Sequence, residues 1–142
     1  MPINFDFAYD LRGGNNVPIS KDFPIADSQT LVVGDAVVLS AGKVAKASGT
    51  FGRAFGVMAE AITSGAAAGG PLARVYVSQP GQVWRATATA AATSHVLAGR
   101  TYDLNSSQLV DVADTTGGCI QIVELGATTT ALYIVFTAHE LA

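Results

Sequence analysis

The chain has 142 residues, enough for one domain with a real hydrophobic core and no need of metal or disulfide staples. Only 13% of them are Asp, Glu, Lys or Arg, against about 25% in an ordinary soluble domain, while 49% are hydrophobic. The net charge is −3 and the basic residues stand singly, which argues against nucleic-acid binding, and the single cysteine, Cys119, excludes an internal disulfide.

Low charge on a molecule of this size has two readings. Part of the surface is covered by other protein, or the many alanines sit harmlessly in water. The start, Met1-Pro2-Ile3-Asn4-Phe5-Asp6, lacks the basic and apolar regions of a signal peptide. The longest charge-free stretches, Ala86–Gly99 and Leu125–His139, are too short and too rich in Thr and Ser to span a bilayer. The expectation is a protein made in a reducing cytoplasm, with no membrane partner.

Residues 1–30 differ from the rest. Pro2, Pro18, Pro24 and the cluster Gly13-Gly14-Asn15-Asn16 break ladders, yet Phe5, Phe7 and Tyr9 are costly to leave in water. An extended N-terminal arm that lays these aromatics on an apolar surface satisfies both facts. A first edge strand of the domain itself satisfies them equally.

From Leu31 the pattern is one of short strands between turns. Leu31–Val33 leads through Gly34-Asp35 into Ala36–Leu39, where dense Val and Leu favour strand. Lys43–Ala47 alternates after the Ala41-Gly42 turn. Ala54–Ile62 fits either a strand face (Phe55, Val57, Ala59, Ala61) or a helical turn at Met58–Ala61. Ser64–Pro71 reads as a Gly/Ala loop.

Leu72–Ser78 is a strand with Val75 and Val77 on one face and Arg74, Tyr76 and Ser78 on the other. After Pro80-Gly81, Val83–Thr89 sets Trp84, Ala86 and Ala88 against Val83, Arg85, Thr87 and Thr89. Ala90–Ala98, closed by Gly99, suits one short helix. Strands follow at Thr101–Leu104, Gln108–Val112, Cys119–Leu125 and Ala131–Thr137. The predicted fold is all-β, an antiparallel β-sandwich or β-barrel with at most one short helix: an arm at 1–30 and a β-rich body at 31–142.

Motifs for chemistry are sparse. His95 and His139 have no Cys, His or carboxylate at ligand spacing, so neither a metal nor another cofactor is expected. Cys119 opens a strand beside Ile120 and Ile122, the setting of an inert buried thiol. No Gly-x-Ser-x-Gly elbow is present, and Gly65–Gly70 lacks the Lys-Ser/Thr ending of a phosphate loop. A hydrolase would have to gather Asp103, Asp111, Asp114 or Glu124 in one cleft. The expectation is no catalytic residue and no enzyme. Trp84, the sole tryptophan, is either a core residue or an interface anchor.

Several segments, taken in order, resemble the capsid decoration (cement) proteins of tailed bacteriophages. They are Gly34-Asp35-Ala36-Val37-Val38-Leu39, Gly42–Ala47, Gly56-Val57, Val75-Tyr76-Val77 with Pro80 to Trp84, Leu97–Leu104 and Leu132–Phe136. The likeness covers roughly 31–137 and consists of strand-and-turn punctuation. It implies a β-rich structural subunit, often trimeric, that binds the outer surface of an expanded head and bridges major capsid subunits. The expected interface residues are Phe5, Phe7 and Tyr9 on the arm, with Tyr76 and Trp84 on the body, and deletion of 1–12 is expected to weaken capsid binding and leave the body folded. The alternative class is a carbohydrate-binding or tail-associated module using Trp84, Tyr76 and Tyr102 as exposed aromatics.

Overall fold

The computed structural model describes residues 5–11, 17–47, 54–67, 69–90, 101–104, 106–112, 120–126 and 130–137. They form β-strands and turns, with no helix among them. The predicted helix lies outside the described residues except for Ala90, which is a bend.

The strands are β1 (Asp6–Asp10), β2 (Ile19–Pro24), β3 (Thr30–Leu31), β4 (Ala36–Ser40), β5 (Lys43–Lys46), β6 (Gly56–Met58) and β7 (Ile62–Thr63). There follow β8 (Leu72–Val77), β9 (Gln82–Ala88), β10 (Thr101–Leu104), β11 (Leu109–Asp111), β12 (Ile120–Leu125) and β13 (Ala131–Phe136). The ambiguous 54–62 stretch is resolved as strand at β6, because Gly56 and Val57 pair with β4 on one side and β8 on the other.

One sheet has six strands in the order β1-β9-β11-β10-β12-β13, and β13 also pairs with β9, so the sheet rolls back on itself. All its pairings are antiparallel except β9 with β11. The other main sheet has five strands, β2-β8-β6-β4-β5, and β3 pairs with β7 in a small ribbon. The five-stranded sheet curls too: Ile25, just past β2, makes an isolated parallel bridge to Val44 of β5. The architecture is all-β and consistent with a β-sandwich.

Period-two alternation explains the two cores. In β4, Ala36 and Val38 face the six-stranded sheet, whereas Val37 faces the inside of the curl with Val44, Met58 and Val75. The first core gathers Trp84, Tyr102, Leu104, Ile120, Ile122, Leu132, Ile134 and Phe136. The second holds Phe23, Ile25, Leu31 and Phe55. The five-stranded sheet is therefore covered on both faces, and β4 reads as a continuous apolar run.

The sheets are tied by a polar clamp at Gly34-Asp35. Asp35 is fully buried, and its carboxylate accepts from Val32 N (2.9 Å), Ser107 Oγ (3.2 Å) and Gln108 Nε2 (2.9 Å). Lys46 Nζ stands 3.9 Å away, and Ala36 N donates to Ser107 O. Gly34, with φ of 92°, donates to Met58 O and accepts from Phe5 N. This left-handed turn lets one dipeptide join β1, β4, β6 and residues 106–108.

Of the two readings of the first thirty residues, the observed pairings are those of strands of the body. β1 and β2 do not form an arm apart from the body, since β1 lies on β9 and β2 on β8. The physical reason is burial: Phe5 is 3% exposed against Phe136, and Phe23 packs edge-on against Phe55.

Candidate functional site

Where β1 crosses the seam between the sheets, a cavity of about 310 Å³ opens to the surface. Phe5, just before β1, with Asp6 and Phe7 of β1 forms one wall, Val57 and Met58 from β6 with Tyr76 from β8 another, and Trp84 of β9 lines it too. Val17 and Pro18, before β2, and Val33 and Gly34, before β4, complete it. Val17 is 68% exposed and Val33 56%, so both stand at the mouth in contact with water.

Aromatic packing shapes the wall. The Phe7 ring meets Trp84 edge-on at 5.7 Å, and Trp84 touches Tyr76 at 6.5 Å and Phe136 at 6.1 Å. Such tilted and edge contacts suit the ring quadrupoles and hold the indole in one orientation. Its Nε1 is buried with no hydrogen-bond acceptor among the described residues. Tyr102 Oη and Ser78 Oγ share that condition, but neither residue lines the cavity.

A bulge decides which β1 aromatics belong to the site. Phe7 pairs with Trp84, but the register then slips and Tyr9 pairs with Val83. One extra residue turns every later side chain to the other face. Phe5 and Phe7 therefore point inward, while Tyr9 lies outside against Tyr133 at 6.0 Å. Its hydroxyl donates to Glu124 Oε1 at 2.6 Å. Partial burial, then this carboxylate acceptor and its charge, push the phenol up to about 12. On the same outer face Arg85 Nη2 meets Asp6 Oδ2 at 2.8 Å.

The structure thus brings together Phe5, Phe7, Tyr76 and Trp84 and leaves Tyr9 out. Trp84, at 1% exposure, is buried in the core and lines the cavity, which is the first of the two readings its sequence context left open. One expectation is corrected. Trp84 and Tyr102 are both buried, so they form no exposed aromatic platform for a sugar. The sequence reading missed Val17, Val33 and Met58. Val32-Val33 read as strand residues, yet they enter a turn, with Val32 39% exposed.

The acids are distributed otherwise. Asp103 and Asp111 are register partners in the β10–β11 ladder, Glu124 is engaged by Tyr9, and neither Asp111 nor Glu124 lines the cavity. Asp114, His95, His139 and Cys119 lie outside the described residues. Among the described residues no group of three or more His, Cys, Asp or Glu could hold a metal ion, and no helix is long and apolar enough to cross a membrane. Chemically, the cavity can take an apolar group. Compared with known proteins, the chain matches no family model and no curated sequence.

Proposed function

We propose that the chain is a structural subunit that decorates the outer surface of a tailed-phage head and bridges its major capsid subunits. The observation that carries this reading is where the apolar surface lies. Val17, Ile19, Val32 and Val33 are 68%, 65%, 39% and 56% exposed, and Val17 and Val33 rim the cavity. In a chain with 13% charged residues, such a patch is the kind of surface another protein covers. The loose resemblance of strands and turns over 31–137 supports the same class.

On this reading the protein resides on the virion, contacts the capsid protein, and associates with itself, a trimer following from the resemblance. Sedimentation of the purified chain, then cosedimentation with empty expanded heads, tests it. Saturable binding to heads is the expected result. A 14.5 kDa monomer at every concentration that never pellets with heads overturns it.

A further inference from the structure

We infer that Tyr9 and Tyr133 are an oxidative cross-linking site, at which a one-electron oxidant joins the two phenol rings as dityrosine and staples β1 to β13. The inference does not depend on the decoration reading, because it needs only the outer face of the six-stranded sheet.

Three observations lead to it. The first is proximity between distant parts of the chain. Asp6 of β1 and Tyr133 of β13 are both register partners of Arg85, so β9 runs between β1 and β13. The Tyr9 ring reaches over β9 to stand 6.0 Å from Tyr133, tilted by 42°. The second is direction. Tyr9 Oη donates to Glu124 Oε1 at 2.6 Å, and Glu124 is the register partner of Tyr133. The hydroxyl end of Tyr9, which carries the ring carbons that couple, is thus held at the Glu124–Tyr133 pair. The third is a proton acceptor. A phenol that loses an electron becomes a strong acid, and a carboxylate already on a short hydrogen bond takes its proton without diffusion.

Access agrees with this choice of tyrosines. Tyr9 and Tyr133 are half-buried, so a small oxidant reaches them from water. Of the other two, Tyr102 is fully buried and Tyr76 packs against Trp84 beside the cavity.

Tyr9 gives one electron to the oxidant and its hydroxyl proton to Glu124 Oε1. Tyr133 gives an electron to a second equivalent and its proton to water. The two phenoxyl radicals form one carbon–carbon bond between positions ortho to their oxygens. The hydrogens on those carbons then pass through water to the oxygens, which restores both phenols. The net change is the loss of two protons and two electrons. The oxidant is of the class of ferryl haems and photo-oxidised ruthenium complexes, each equivalent being reduced by one electron. Rings held side by side couple faster than rings on separate dilute chains. The product closes a covalent loop from Tyr9 to Tyr133, which restricts the unfolded chain.

The test exposes the dilute full chain to tris(bipyridine)ruthenium, persulfate and a brief light pulse. The expected product is a monomer with the blue emission of dityrosine, in which fragmentation in the mass spectrometer joins Tyr9 to Tyr133 with the loss of two hydrogens. Its urea midpoint should lie above that of the untreated chain. Emission should vanish in Tyr9→Phe and in Tyr133→Phe at unchanged circular dichroism, and persist in Tyr76→Phe. Glu124→Gln should stay folded and give a severalfold lower yield, and undiminished yield there overturns the carboxylate's part. In urea above the unfolding transition the same pulse should no longer join Tyr9 to Tyr133. Equal yield from the unfolded chain, cross-links only between chains, a link at Tyr76 or Tyr102 instead, or consumption of the oxidant without dityrosine each overturn the inference.

Discussion

Asp35 carries more of the structure than its exposed neighbours. Its carboxylate, itself fully buried, answers three donors from two parts of the chain. Removing it strands those donors, and each buried orphan costs about 1–3 kcal/mol. Asp35→Ala should therefore lower the unfolding free energy by roughly 3 kcal/mol in urea melts, and Asp35→Asn, which keeps an acceptor, by less. Gly56 is constrained in another way: an added Cβ would collide with the Tyr76 carbonyl oxygen and stand 3.0 Å from Val75 Cγ1. Backbone cannot yield there, so Gly56→Ala should cost about 2 kcal/mol.

Tyr9 sets a limit at the alkaline end. Its phenol ionises near 10 in the unfolded chain and at about 12 in the folded one. The folded protein therefore holds a proton that the unfolded chain has lost. Stability is whole below pH 10 and falls as pH rises toward 12. A phenolate absorbance titration should contain a late component that is missing in Tyr9→Phe and shifted downward in Glu124→Gln.

Strand β1 behaves as part of the body. The alternation Phe5-Asp6-Phe7 was legible, and so was the cost of leaving those rings in water. The bulge before Tyr9 was not, because a register slip depends on the partner strand and leaves no mark on the chain itself. Deletion of residues 1–12 therefore does more than release a tether: it uncovers Phe136 and Trp84. The truncated chain should unfold at clearly lower denaturant, and Phe5→Ala alone should cost about 3 kcal/mol. A truncation with an unchanged unfolding midpoint would show that β1 is peripheral after all. The exposed Asp6–Arg85 pair adds little, since surface ion pairs contribute under about 1 kcal/mol. Strand β13 was readable for a simple reason, since buried and half-buried residues alternate along all of it, and β8 and β9 alternate in the same way over 72–75 and 84–88. At 54–62 the pattern fitted helix and strand alike, and pairing on both sides of β6 decided it.

Across the whole molecule, neighbours in space are distant in sequence. β1 pairs with β9, β2 with β8, and β9 with β13. Chain entropy must be lost before such pairings form, which slows folding. Refolding followed by the fluorescence of Trp84 should occupy about milliseconds to seconds, typical of all-β topologies, whereas a microsecond phase carrying the full amplitude would contradict this. The same topology places the apolar rim. Val17 precedes β2 and Val33 precedes β4, yet both reach the cavity beside β1. Low overall charge indicated a covered surface but not which one. Folding two sheets together selected the seam, because there the end of one sheet leaves the aromatic wall of the other incompletely covered.

By itself the sequence determined the all-β class, most strand positions and the two-faced patterns of β8 and β9, since these follow from local alternation and turn chemistry. It also carried the Gly34-Asp35 step without its meaning. Tertiary structure alone decided that β1 and β2 belong to the sheets, that Tyr9 turns away from Phe7, and that Trp84 meets Tyr76 and Val33 around one cavity. Each of those outcomes depends on contacts between distant segments, and such contacts are set by strand pairing and packing that no local pattern encodes.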